Sequence, residues 1–125
     1  MATNEQIIKD FNAAFSRLNV DEVMGFFTDD IVYHNIPWPA AVGRAEVRKV
    51  IEGFFTGMGM TAANFEVVKQ VSAGNLVMNE RVDYLTIGGK TVALPVAGVF
   101  ELDNGKIKAW RDYFDADTFN KALAG

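Results

Sequence analysis

Three short turn signals, Gly74-Asn75, Gly88-Gly89 and Asp103-Asn104-Gly105, divide the C-terminal half of the chain and constrain its fold more than any other feature. These residue types tolerate positive φ, and each cluster separates two runs whose side chains alternate in character. The predicted strands cover residues 64–73, 76–87, 91–102 and 106–115. Strands joined by connections this short pair with their sequence neighbours in antiparallel fashion. The second half is therefore a meander.

The first half has a different period. Thr3 with Gln6 makes a capping-box pattern, followed by Ile7, Ile8, Phe11, Ala14, Phe15 and Leu18 at helical spacing. Asn19 with Glu22 repeats the signal ahead of a shorter stripe of Val23, Phe26 and Phe27, which Asp29-Asp30 ends. Residues 31–36 read as a short strand, and Trp38, between Pro37 and Pro39, reads as an extended loop. A third helix is predicted over 44–58, with Val47, Val50, Ile51, Phe54 and Phe55 on one side, and a short helix over 117–123. Helices first and strands later give an α+β fold. The expected architecture is one domain, residues 1–125, in which N-terminal helices pack against a curved, mostly antiparallel sheet that encloses an apolar pocket.

Composition narrows the function. The chain has 125 residues, half of them apolar, which is enough to bury about two thirds of the unfolded surface without staples. The absence of cysteine excludes disulfides, thiolate metal sites and a cysteine nucleophile, and the single histidine, His34, excludes multi-histidine metal sites. A net charge of −4 with no basic run argues against nucleic acid and anionic membranes as partners. No apolar stretch reaches bilayer length, and the first residues carry no secretory pattern. The expectation is a cytoplasmic protein that handles a small molecule.

Alternation along the strands sorts the polar residues. Arg81 and Asp83 share one face, Asp112 shares its face with Trp110 and Phe114, and Tyr33 and Asn35 share a face from which His34 points away. A carboxylate between two aromatics belongs in an apolar interior, where it needs a partner. Arg81 can supply one, because a guanidinium bonds two carboxylates at once. Taken singly, each has a plainer reading: a surface ion pair for Arg81 and Asp83, strand-end groups for Tyr33 and Asn35, a structural side chain for His34, and a gap-filling role for Met58 and Met60. Arg111, Tyr113 and Asp115 read as the opposite face, for surface or dimer contacts.

Read in order, Tyr33-His34-Asn35-Ile36-Pro37, Glu80-Arg81-Val82-Asp83, Gly98-Val99-Phe100, Gly105-Lys106-Ile107 and Trp110-Arg111-Asp112-Tyr113-Phe114-Asp115 resemble the limonene-1,2-epoxide hydrolase family over almost the whole chain. The resemblance implies an NTF2-like (SnoaL-like) cone, a homodimer, and hydrolysis of a small apolar epoxide by water without metal or cofactor. It further implies Asp112 as general base, Tyr33 and Asn35 as water-holding groups, Asp83 as general acid, and Arg81 as the bridge. Phe54, Met58, Leu85, Leu94, Val96, Phe114 and Phe119 match its cavity walls, and Trp38 and Pro95 stand there as larger or stiffer residues. The alternatives on this fold are a ketosteroid-isomerase-like or polyketide-cyclase-like enzyme and a non-catalytic small-ligand-binding module. The isomerase would need a carboxylate, a tyrosine and an acid where this chain aligns Asn35, Phe11 and Ala97 or Gly98.

Overall fold

The computed structural model describes residues 2–124. In chain order the elements are α1 (Asn4–Ser16), α2 (Val20–Met24), β1 (Phe27–Asn35), β2 (Ala41–Val42), α3 (Arg44–Glu52), a π-helical turn (Gly53–Gly57), β3 (Met60–Ala73), β4 (Leu76–Ile87), β5 (Lys90–Asp103), β6 (Lys106–Tyr113) and α4 (Ala116–Ala124). The strands form one six-stranded sheet in the order β2-β1-β6-β5-β4-β3. The expected α+β, NTF2-like architecture is what forms, and the meander occupies β3 to β6 with every connection antiparallel. Gly88 and Gly89 turn between β4 and β5 with φ of +58° and +79°, the two positive angles a tight hairpin requires.

β1 joins β6 in parallel, pairing Tyr33 with Trp110 and Asn35 with Asp112. Register shifts in β1, β3 and β6 bend the sheet. Its concave face is covered by α1, whose Ile8, Phe11 and Phe15 are buried, and by α3 through Val47 and Ile51. Phe11 meets Trp110 edge-on at 4.9 Å, so the helix stripe locks onto the middle of the sheet. Both predicted caps form: Thr3 accepts the Gln6 N–H and Asn19 the Glu22 N–H. No helix among the described residues is long and apolar enough to cross a membrane.

Four local expectations are corrected. Phe26 and Phe27 lie outside α2, which ends at Met24, because Phe27 pairs with Ile107 and begins β1, with Asp29-Asp30 carried in its irregular stretch. The helix predicted over 44–58 is α-helical only to Glu52; beyond it the turn widens, with the Met58 N–H reaching back to the Gly53 carbonyl at 2.7 Å. One extra residue per turn rotates everything that follows out of helical phase. Trp38 lies in a turn, its N–H donating to the Asn35 carbonyl at 2.8 Å, because its ring packs edge-on against Phe114 and Phe119. Pro95 points outward from β5, between the inward Leu94 and Val96.

Candidate active site

The sheet register assembles one polar row across five strands. Gln70 on β3 pairs with Asn79 on β4, Asn79 with Gly98 on β5, Gly98 with Asp112 on β6, and Asp112 with Asn35 on β1. The parallel row beneath is apolar and aromatic: Val77, Phe100, Trp110 and Tyr33. Tyr33 stacks on Trp110 at 4.0 Å and 10°, and Phe100 lies nearly parallel to the same indole. The aromatic floor holds the polar row rigid. It also removes water from beneath it.

Arg81 and Asp83 rise from the next positions of β4 on the same face. Arg81 is 1% exposed, and its side chain bonds both carboxylates. Its Nε and Nη2 donate to Asp83 Oδ1 and Oδ2 at 2.9 Å each. Its Nη2 and Nη1 donate to Asp112 Oδ2 and Oδ1 at 2.9 and 3.2 Å. The remaining Nη1 proton goes to Asn79 Oδ1 at 3.1 Å. All donors of the guanidinium are used, which is the condition for keeping such a group dry. Asp112 Oδ1 also accepts the Trp110 indole N–H at 2.8 Å, whereas among the described residues Oδ2 accepts from Arg81 alone. The Phe65 ring lies 4.7 Å from the Arg81 carbon.

Two negative groups and one positive group leave the buried cluster short of one positive charge. Burial pushes the Asp83 carboxyl up to about 6; the bonds from Arg81 oppose this, and the Asp112 charge adds to it. Burial alone works against the Arg81 charge, but Asp112 and Asp83 outweigh it and hold the guanidinium above its usual range. Burial, with Asp112 second, raises Tyr33 far above the ordinary phenol, so its hydroxyl remains a donor, 3.3 Å from Asn35 Oδ1.

Tyr33, Asn35, Asp83 and Asp112 all line one narrow cavity of about 40 Å³. Of the expected walls, Phe54, Leu85, Leu94, Val96, Phe114, Phe119 and Trp38 line it too. Met58 does not. The widened turn leaves it 38% exposed on an outer cleft of about 340 Å³, which shares Tyr33, Asn35, Trp38, Phe54 and Phe119 with the inner cavity. Phe15, Met60 and Phe65 complete the inner wall and were not anticipated. Asn79 and Gly98 were not anticipated either, although Asn79 precedes Arg81 by the same two-residue step that links Arg81 to Asp83.

His34 faces away from the carboxylates, its Nε2 donating to the Trp38 carbonyl at 2.9 Å. Arg111 pairs with Glu101, and Tyr113 is exposed, so that face of β6 looks outward as expected. Among the described residues no cluster of three acidic, histidine or cysteine side chains could hold a metal ion.

Comparison with known proteins bears on both fold and family. Residues 2–124 match the limonene-1,2-epoxide hydrolase catalytic domain. The chain is 35% identical over 121 residues to the epoxide hydrolase EphG of Mycobacterium tuberculosis, covering 94% of this chain and 78% of that protein. A solved M. tuberculosis LEH-like epoxide hydrolase superposes with a TM-score of 0.82 at 31% identity, over 98% of this chain and 90% of that one. An NTF2-like protein of unknown function from Burkholderia pseudomallei K96243 superposes at 0.86 over the whole of both chains with 18% identity, a likeness of fold alone.

Proposed function

The chain belongs to the limonene-1,2-epoxide hydrolase family and is an epoxide hydrolase, and from this premise we propose single-step addition of water to a small apolar epoxide. The product is a vicinal diol, and neither metal nor organic cofactor takes part. The observation that carries this reading is the Arg81 guanidinium shared between two buried carboxylates on the same cavity.

Water is a weak nucleophile at neutral pH and an alkoxide a poor leaving group, so attack needs proton removal and proton donation together. Asp112 is the base, acting through Oδ2, the oxygen whose only donor among the described residues is Arg81. Tyr33 and Asn35 stand on the neighbouring strand, in register with Trp110 and Asp112, and hold the attacking water. Asp83, which keeps a proton to about pH 6, gives that proton to the epoxide oxygen. Arg81 remains charged throughout and fixes both carboxylates. Apolar walls from Leu85, Leu94, Val96 and Phe114 receive the hydrocarbon part of the substrate. The isomerase alternative finds no support: Phe11 is fully buried against Trp110, and at Gly98 a Cβ alone would fall 2.3 Å from Arg81.

The proposal carries the homodimer and the cytoplasmic location with it. Val68, Val71, Met78 and Tyr84 are exposed on β3 and β4, apolar surface that a second copy would cover.

The test is a panel of terpene, cyclohexene and styrene oxides assayed for diols, followed by one turnover in ¹⁸O-labelled water with enzyme in excess. Direct attack puts the label in the first-turnover diol, with trans geometry from a cyclic epoxide. An ester route instead leaves the label on Asp83 or Asp112 and gives unlabelled diol. That outcome would end the single-step reading.

A further inference from the structure

We propose that Asn79 is a positioning residue of this site, holding the Arg81 guanidinium so that it grips both carboxylates at two points each. The inference rests on the epoxide-opening reading for its kinetic consequence and on geometry for its structural one. Four of the guanidinium bonds go to Asp83 and Asp112, and the fifth goes to Asn79 Oδ1. Without that acceptor one buried N–H would be left without a partner, and the Nη1 edge of the guanidinium would be held by Asp112 alone among the described residues.

Asn79 is itself held from behind. Its Nδ2 donates to Gln70 Oε1 at 3.2 Å, and Gln70 Nε2 donates to the Glu5 carbonyl of α1 at 3.1 Å. The chain of bonds therefore ties Arg81 to the helix that roofs the sheet. Asn79 is 5% exposed on a strand face whose other buried positions include Val77, Leu85 and Ile87. A carboxamide among such neighbours is costly unless its hydrogen bonds are made. Gly98, its partner across β5, supplies the space: a Cβ there would lie 2.3 Å from Arg81 Nη1 and 2.8 Å from Asn79 Oδ1. An acceptor and a missing side chain, adjacent across two strands, together define the slot for one edge of the guanidinium.

The titratable and charged groups facing this slot are Arg81 and Asp83 on β4, Asp112 on β6 and Tyr33 on β1. β3 presents Phe65 and Gln70, β5 presents Gly98, and α1 buries Ile8, Phe11, Asn12 and Phe15, none of which titrates. A charge placed at position 79 would therefore be read directly by the carboxylates.

Two variants test the proposal. Asn79→Leu keeps approximate volume and removes the acceptor; kcat should fall roughly tenfold or more with KM little changed, since substrate walls are untouched. Asn79→Asp restores an acceptor oxygen and adds a like charge, so it should recover most of the kcat at low pH. It should also move the descending limb of the pH profile upward by about one unit. The Asp83 carboxyl titration, followed by ¹³C NMR without substrate, should shift upward in step. In Asn79→Leu, which adds no charge, the same titration should also rise because Arg81 grips Asp83 less firmly, and that reading of the positioning role needs no turnover. A folded Asn79→Leu enzyme with unchanged kcat would overturn the proposal. If Asn79→Leu does not fold, an Asn79→Asp enzyme whose Asp83 titration is unmoved overturns it equally.

Discussion

Gly98→Ala should damage the enzyme far more than one methyl group ordinarily does. The added Cβ would lie 2.3 Å from Arg81 Nη1, 2.8 Å from Asn79 Oδ1 and 3.1 Å from Asp112 Oδ1. The closest approach is about 1 Å inside ordinary contact, so the guanidinium must retreat by about that much. The Phe65 ring, 4.7 Å from the guanidinium carbon, limits the retreat, and bonds now at 2.9 to 3.2 Å break or lengthen. Losing one charge-assisted bond costs about 1.5–3 kcal/mol. Alanine returns about 0.5–1 kcal/mol over glycine in a strand. The net loss is about 0.5–2.5 kcal/mol, or roughly 2–10 °C in Tm for a domain of this size. A displacement of about 1 Å at the groups that position acid and base costs on the order of a hundredfold in rate. Thermal unfolding by circular dichroism and kcat on the best epoxide of the panel measure the two effects. Ala97→Ser, one residue away on the outward face of β5, is the control and should leave both unchanged. A Gly98→Ala enzyme with the control's Tm and kcat would show that the slot does not hold Arg81.

The remaining expectations concern the carboxylates and their surroundings. Only protonated Asp83 can act as acid, so kcat should fall as pH rises through about 6, and about tenfold per unit beyond it; a flat profile from pH 6 to 8 would assign the acid elsewhere. Because the folded value lies above the ordinary 3.8, the stability Asp83 contributes is fully present below that value and is lost as pH rises through about 6. Chemical denaturation at several pH values reads that slope. Asp83→Asn and Asp112→Asn should each lower kcat by orders of magnitude, and the double variant should lose little more than either, as groups acting as one unit do. His34→Ala, which breaks only the bond to the Trp38 carbonyl, should leave kcat nearly unchanged; loss of activity there with retention in Asp112→Asn would place the base wrongly. Activity should survive exhaustive chelation, and recovery on adding a divalent metal would contradict the metal-free reaction.

How much of this was legible in the sequence depends on how local each cause is. β4 was readable to the residue, because the turns on both sides announce themselves and its alternation is clean. Two-residue spacing and the cost of leaving a carboxylate alone among aromatics pointed to Arg81 as a partner for Asp112, and the family resemblance singled out Asp83 with them over a surface ion pair. The fate of Met58 was not readable, because a single backbone bond to Gly53 resets the helical phase without changing the composition. The two-residue β2 and the parallel pairing of β1 with β6 come from chain closure over a long separation, and no local pattern encodes them. Phe65 and Gly98 belong to the site only through cross-strand register. Asn79 is different: its same-face spacing to Arg81 was present in the sequence, and what hid it was its neutral side chain.

The same register explains how one guanidinium can serve an acid and a base at once. In the proposed reaction the cluster starts with a proton on Asp83 and none on Asp112, and ends with the proton on Asp112 and none on Asp83. The proton count of the pair is unchanged, so the buried charge is the same before and after. Arg81 holds each carboxylate by two bonds, and either can carry the proton without the guanidinium moving. Symmetric bonds alone would leave the choice of acid and base undecided. Trp110 breaks the symmetry, because its indole N–H reaches Asp112 and, among the described residues, has no counterpart at Asp83. The additional donor fixes the orientation of the Asp112 carboxyl. In the proposed reaction the base is the carboxylate marked out by this one hydrogen bond from the aromatic floor. Its donor stands two residues before Asp112 on β6, where strand alternation puts both side chains on one face.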